Sequence, residues 1–322
     1  MLESLIPFRM RRSWDQAWID RSVRSVVRTR AIPAADPLTA DFEVHLLLRS
    51  EDFFVGLVAL KSLLRFDLRA AVTVTDDGSL TADQKAILVE HVPGVRLLTR
   101  YEAANNSGIL NKYPALTALY QSDFHMIAKL LHPILLGRCD QMVVIDSDTV
   151  FLQFPSKVVQ WARQATINGM YLHDHVQRNA DALWLREMFA EIFGQSEETF
   201  AFKIGHRFFN AGMLCYRRTD CDLKYAERFL QWRSVHSSRF KHPNASIWLG
   251  EWTQEQTAYM CIFEGMTGAV EGLGDDYRIG CKPWRTFHHF LRAGLTTRQA
   301  KRMLKTIVRE ISSIPGRKAV RE

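Results

Sequence analysis

The sequence predicts an α/β fold with a doubly wound, mostly parallel sheet. Short apolar runs alternate with amphipathic helical stretches from residue 41 onward, which is the pattern of strand–helix–strand units. The run Met142–Ile145 (MVVI) is apolar throughout and partly β-branched, as suits a strand buried on both faces. That run passes at once into Asp146-Ser147-Asp148, at the carboxyl edge where open α/β sheets bind their ligands.

Residues 1–40 read as a basic extension, closed by the loop Ile32-Pro33-Ala34-Ala35-Asp36-Pro37. Phe42–Leu48 (FEVHLLL) is the first predicted strand. The helix after it carries Phe53, Leu57, Leu60 and Leu64 on one stripe. Ala71–Thr75 is a second strand, ending in Asp76-Asp77-Gly78-Ser79; Thr81–His91 is helical, and Val95–Thr99 is a third strand. Tyr101–Tyr120 is weakly periodic and reads as containing a loop over the ligand edge. Ser122 or Asp123 can cap a helix running to Leu136, with Phe124, Ile127, Ala128 and Leu131 inward and Lys129 off that stripe.

Beyond the central strand, Pro155–Arg163 is helical, Gly169–Leu172 is a strand and Asp181–Phe193 is helical. Arg207–Arg217 is a strand interrupted by Asn210-Ala211-Gly212. Leu223–Val235 and Thr253–Phe263 are helices, Arg285–Phe290 is a short strand, and Leu295–Ile311 is a basic amphipathic helix. No internal repeat or low-complexity linker divides the chain. The expected organisation is therefore a basic extension over 1–40, one domain over 41–294, and a basic helix and tail over 295–322.

The charge is unevenly placed. Residues 1–30 hold seven arginines against three acids, and residues 296–322 hold eight Lys or Arg against two acids. With a net charge of +7 overall, the middle of the chain is net acidic, which argues against a nucleic-acid partner. No apolar run is long enough to cross a bilayer, and the N-terminus MLESLIPFRMRRSW lacks the apolar core of a secretory signal. Five cysteines (139, 215, 221, 261 and 281), with no CxxC, argue for reduced thiols and against a disulfide scaffold or zinc knuckle. The expected location is cytoplasmic.

Two carboxylates at i and i+2, where a buried strand leaves the core, can point into one crevice. Such a pair suits a hard divalent cation, which in turn can grip a diphosphate. The alternative is a solvated acidic turn.

Three further segments bear on that choice: Phe208-Phe209-Asn210-Ala211-Gly212-Met213-Leu214, Gln254-Glu255-Gln256-Thr257 at the head of a helix, and the pair His288-His289. With Asp146-Ser147-Asp148 and in this order, they resemble GT-A-fold glycosyltransferases that use nucleotide-diphosphate sugars, especially the retaining family 8 type. The resemblance covers about Asp41 to Gly294. It implies that Asp146 and Asp148 bind Mn²⁺ or Mg²⁺ together with His289 or, alternatively, His288, since adjacent strand residues face opposite ways. It also implies that Ser147, Asn210, Ala211 and Gly212 lie against the donor sugar or acceptor. Glu255-Gln256 is similar to the family's Asp-Gln pair beneath the anomeric carbon, with the acid one methylene longer.

Lys129 resembles a basic residue near the phosphates. Asp76 and Asp77, with Leu48, Arg49 and Ser50 beside them, occupy the place where the nucleobase and ribose are read, and Asp174 is a candidate sugar contact. Lys282-Pro283-Trp284 resembles a motif that follows the metal-binding His in the family and precedes it here; Lys282 is the candidate cation for the diphosphate. The implied activity is metal-dependent transfer of a hexosyl unit from a nucleotide sugar, UDP-linked, to a glycan, lipid-linked or protein acceptor, with retention.

Other readings remain. Asp76-Asp77-Gly78-Ser79 resembles the signature of inverting family 2-like enzymes, in which Glu255 would act as base. Asp146-Ser147-Asp148-Thr149-Val150, with Gly274-Asp275-Asp276, resembles haloacid-dehalogenase-like phosphatases. At the termini, Met10, Trp14 and Trp18, and separately Ala300, Leu304, Ile307, Val308 and Ile311, form apolar stripes flanked by Arg and Lys. These suit either an anionic membrane interface or packing on the domain.

Overall fold

In the computed structural model, the first strand–helix units build a parallel half-sheet: β1 (Phe42–Leu48) lies between β2 (Ala70–Asp76) and β4 (Gln141–Ile145), with β3 (Arg96–Thr99) outside β2. The structure describes residues 17, 19–103, 108, 110–164, 166–173, 182–204, 209–236, 254–280, 282, 284–291, 294, 295 and 297–314, with 182–184 as backbone alone. The remaining strands are β5 (Thr149–Phe151), β6 (Gly169–His173), β7 (Phe209–Arg217), β8 (Val270–Gly272), β9 (Tyr277–Ile279) and β10 (Phe287–His289). They join one ten-stranded sheet in the order β3-β2-β1-β4-β7-β6-β9-β10-β5, with β8 paired to β6. β7 runs antiparallel to both β4 and β6, and β10 antiparallel to β5; the other pairings are parallel.

The helices cover the sheet: α1 (Phe53–Leu64), α2 (Ala82–His91), α3 (Pro114–Gln121), α4 (Ile127–Leu136), α5 (Ser156–Gln164), α6 (Ala182–Phe193), α7 (Leu223–His236), α8 (Gln254–Gly265) and α9 (Arg298–Ser313). α1 is buried around nearly its whole circumference, because it lies between the sheet and α9. Even Lys61 on α1 is buried; its Nζ donates to Thr29 Oγ1 (2.5 Å) and the Arg30 carbonyl (2.6 Å) and faces His91 Nδ1 at 2.9 Å. That lysine ties the N-terminal segment to the end of α2.

Two readings need refinement. The stretch expected to contain a loop over the ligand edge also holds α3. Its cap is remote: Glu227 of α7 accepts from the Ala115 and Leu116 amides at 2.9 Å each. α4 begins at Ile127, not at Ser122 or Asp123, with a turn before it. β7 is continuous through Asn210-Ala211-Gly212, but the expected irregularity is there in its pairing with β6: Tyr171 opposes Leu214 and Leu172 opposes Asn210, so Ala211, Gly212 and Met213 have no partner on β6.

The apolar stripe of α9 is spent inside the protein. Ala300, Leu304, Ile307, Val308 and Ile311 are buried in one core with Val23, Val26 and the residues of α1, while Arg298, Arg302, Lys305 and Arg309 remain exposed. Met10, Trp14 and Trp18 lie outside the described residues. Among the described residues, no helix is long and apolar enough to cross a membrane.

Candidate active site

Register brings the site together. β4 ends at Ile145, paired with Met213 of β7, so the next residue, Asp146, donates its amide to the Gly212 carbonyl (3.0 Å). The chain turns through Ser147 and Asp148 into β5, helped by Thr149 Oγ1 on the Asp146 carbonyl (2.8 Å). β5 pairs with β10 so that His289 opposes Thr149, and the Phe290 amide donates to the Asp148 carbonyl (2.9 Å). Three sheet connections thus place Asp146, Asp148, Asn210 and His289 around one cleft of about 340 Å³.

His289 Nε2 lies 3.2 Å from Asp148 Oδ1 and 3.4 Å from Asp146 Oδ2. One donor atom from each of Asp146, Asp148 and His289 falls within 4.8 Å of the others. Two hard carboxylate oxygens and one imidazole nitrogen form a donor set that fits Mn²⁺ or Mg²⁺. The orientation of the histidine fits as well. Its Nδ1 lies 3.2 Å from Asn210 Oδ1, so the Nδ1–H is donated there and Nε2 is the atom that faces the carboxylates and would be available to a cation.

His288, the other candidate, points to the opposite face of β10. Its Nδ1 is engaged with the Gly280 carbonyl and the Lys282 amide, outside the cleft. Gly212 leaves room for His289: a Cβ there would collide with the imidazole and would lie 2.7 Å from Asn210 Oδ1.

Lys129 lies off the helical stripe and is buried nonetheless. It is 4% exposed, because α8 covers the face of α4 that the periodicity leaves open, and Tyr259 of α8 donates to the Lys129 carbonyl (2.7 Å). Lys129 Nζ lies 2.6 Å from Asp146 Oδ1 and 3.0 Å from Glu255 Oε1. Lys129 therefore faces the cleft and not solvent. Burial works against its charge, but the two carboxylates outweigh it and hold its pKa above the ordinary lysine value.

Glu255 is pushed the other way. Its burial raises its pKa, and Lys129 offsets only part of the rise. Burial would likewise raise Asp148, but His289 outweighs it and keeps that carboxyl below its usual range. For His289, burial disfavours the proton, and Asp148, then Asp146, reverse the sign to give a raised pKa. Gln256 lines the cleft with its Oε1 fixed by the Ala211 amide (3.1 Å).

The remaining expected residues are placed less simply. Arg49 and Ser147 line the cleft. Leu48 is fully buried and faces the Gly56 side of α1, and its neighbour Leu47 lines the cleft instead. Ser50 donates its amide to Ser79 Oγ (2.8 Å). Asp76 is buried and committed to its own turn: Oδ1 accepts from the Gly78 and Leu80 amides and Oδ2 pairs with Lys85 at 2.7 Å. Asp77 accepts from Ser79 and faces Arg49 Nε at 3.6 Å.

Lys282 sits outside the cleft lining, its Nζ 5.7 Å from the Trp284 ring. Asp174 and Phe208 lie outside the described residues. Asp275 pairs with Arg278 in the turn between β8 and β9, away from the cleft lining, so it does not join the pair at Asp146 and Asp148.

Asp52, Met126 and Leu291 also line the cleft and were not anticipated. Leu291 takes a left-handed conformation (φ 48°), one residue past Phe290 and two past His289. No pattern of residue types marked any of the three.

No family model and no curated protein matches the sequence. Among solved structures, the chain is similar to galactosyltransferase LgtC in complex with donor and acceptor sugar analogues, at 12% identity, 86% of this chain, 98% of that chain and a TM-score of 0.47. It is similar to the bifunctional glycosyltransferase WbbM at 12% identity, 88% of this chain, 51% of that chain and a TM-score of 0.49. It is also similar to mouse xyloside xylosyltransferase 1, at 12% identity, 80% of this chain, 97% of that chain and a TM-score of 0.43.

Proposed function

We propose that the chain is a metal-dependent glycosyltransferase that moves a hexosyl unit from a UDP-linked sugar to a glycan, lipid-linked or protein acceptor, with retention. The observation that carries this reading is the convergence of Asp146, Asp148 and His289 at one cleft whose wall holds Gln256. A bound Mn²⁺ or Mg²⁺ would neutralise negative charge building on a leaving diphosphate. Asp146, Asp148 and His289 Nε2 would hold that ion, and Lys129 keeps Asp146 and Glu255 from repelling each other.

Retention is supported by what Glu255 is doing. It is 2% exposed and lies 3.0 Å from the Lys129 ammonium, a poor arrangement for a base that must reach an acceptor hydroxyl. A front-face transfer asks little of a protein base, and Gln256, locked by Ala211, can stabilise an electron-poor anomeric carbon. UDP as the nucleotide rests on the motif resemblance alone. Contact with an anionic membrane surface rests on charge alone: Arg298, Arg302, Lys305 and Arg309 are exposed, while the apolar residues beside them on α9 are buried.

The test is a panel of UDP- and GDP-sugars with Mn²⁺, scored for release of nucleoside diphosphate and for the anomeric coupling of the product by NMR. A UDP-hexose turned over with retained configuration, and silenced by EDTA, is expected. Full turnover in excess EDTA overturns the metal-dependent reading, and an inverted anomeric coupling overturns retention.

A further inference from the structure

We infer that Asn210 is the positioning residue of the metal centre: its Oδ1 holds His289 by the Nδ1–H and so aims Nε2 at Asp146 and Asp148. The inference rests on the metal reading above and adds to it a residue that need touch neither ion nor sugar to act.

Four observations converge. Asn210 is 6% exposed, so its carbonyl oxygen has little access to water. That oxygen accepts from the Gly212 amide at 2.7 Å, which fixes the side chain against its own strand. The same oxygen stands 3.2 Å from His289 Nδ1. On the opposite side of the ring, His289 Nε2 stands 3.2 Å and 3.4 Å from the two carboxylates.

An amide oxygen accepts and cannot donate. It therefore keeps a hydrogen on Nδ1 and makes Nε2 the nitrogen that a cation would take in place of a proton. The glycine two residues on completes the device. It brings the backbone amide to Asn210 Oδ1 and removes the Cβ that would displace the imidazole.

The chemistry predicts the effect of each substitution. Asn210→Ala removes the acceptor and frees the imidazole to rotate or to adopt the other tautomer. Asn210→Asp keeps an acceptor oxygen in the same place. The experiment measures Mn²⁺ affinity by electron paramagnetic resonance for the wild-type chain, His289→Ala, Asn210→Ala and Asn210→Asp, with thermal melting of each as the check on folding.

The expected result is that Asn210→Ala binds Mn²⁺ about ten- to a hundred-fold more weakly, the range for removing such a supporting partner, and that Asn210→Asp restores binding. If His289→Ala loses affinity but Asn210→Ala binds as tightly as the wild-type chain, the positioning role is overturned while the metal reading stands. If Asn210→Asp binds as weakly as Asn210→Ala, with both folded, the acceptor-oxygen argument is overturned. If the wild-type chain binds no Mn²⁺, or His289→Ala binds unchanged, the metal reading falls and the positioning role falls with it.

Discussion

Gly212 and His289 share one space: a Cβ on Gly212 would run into the His289 imidazole, although the two lie on different strands. A methyl group there must push the histidine away from Asp148 or bend β7. Gly212→Ala is therefore expected to leave a folded protein with at least about tenfold weaker Mn²⁺ binding, comparable to losing a supporting partner. Isothermal titration with Mn²⁺ and a thermal melt separate this from simple unfolding. Unchanged affinity in a folded Gly212→Ala protein would contradict it.

Lys129 lies between Asp146 and Glu255, and removing it leaves Glu255 buried without its partner. Lys129→Met is expected to destabilise the fold by about 3–5 kcal/mol, the range for breaking a buried ion pair on one side. Adding Glu255→Gln should recover a substantial part of that loss, since the orphaned charge is gone. Denaturant unfolding of the two single variants and the double variant measures the coupling. Additive losses would contradict it.

His132 gives a pH dependence whose sign can be worked out. Its Nδ1 faces Thr75 Oγ1 and its Nε2 faces the Tyr120 hydroxyl, each at 2.9 Å. Tyr120 donates to the Arg100 carbonyl, so it accepts from Nε2–H, and a neutral imidazole satisfies both contacts. Burial, with His45 adding to it, lowers the His132 pKa from 6.5 to about 3. The unfolded chain thus takes up a proton that the folded chain refuses. Stability is at its full value above pH 6.5 and falls as pH drops toward 3, at up to about 1.4 kcal/mol per unit. Urea unfolding at pH 7 and pH 5 should show this loss, and His132→Gln should flatten it. An equally steep loss in that variant would contradict the assignment.

The C-terminal helix offers a test of where its apolar stripe lies. Leu304 and Ile307 are each 1% exposed against the core shared with α1. Leu304→Ala is expected to cost about 2–5 kcal/mol, as for a buried leucine. Arg302→Glu with Lys305→Glu should cost little stability and should abolish any low-salt pelleting with anionic vesicles. A stable Leu304→Ala protein would mean that the stripe is not packed in solution.

The central strand and the acidic pair after it were legible because a wholly apolar run ending in two carboxylates suits a buried strand that stops at a ligand edge. His289 against His288 was legible only as a choice, since strand alternation says that one points inward but not which. The burial of Lys129 was not legible because a helical stripe reports one buried face, whereas α4 is covered by both the sheet and α8. α3 was missed because its cap, Glu227, lies on a helix far along the chain. Asp76 shows the converse. Two adjacent acids at a strand end suggest a ligand, but its carboxylate is used by the amides of its own turn and by Lys85. Three-residue strands such as β8 and β9 carry too little pattern to be read before their partners are known.

The metal centre is tested most directly by titrating Mn²⁺ into the protein with and without UDP, and repeating the titration with Asp148→Asn and His289→Ala. One Mn²⁺ per chain is expected, bound more tightly when UDP is present and lost or weakened by a factor of a hundred or more in both variants, about 2.7 kcal/mol. Mn²⁺ binding that is indifferent to both substitutions, or UDP binding unchanged in EDTA, would contradict a cation held by Asp146, Asp148 and His289.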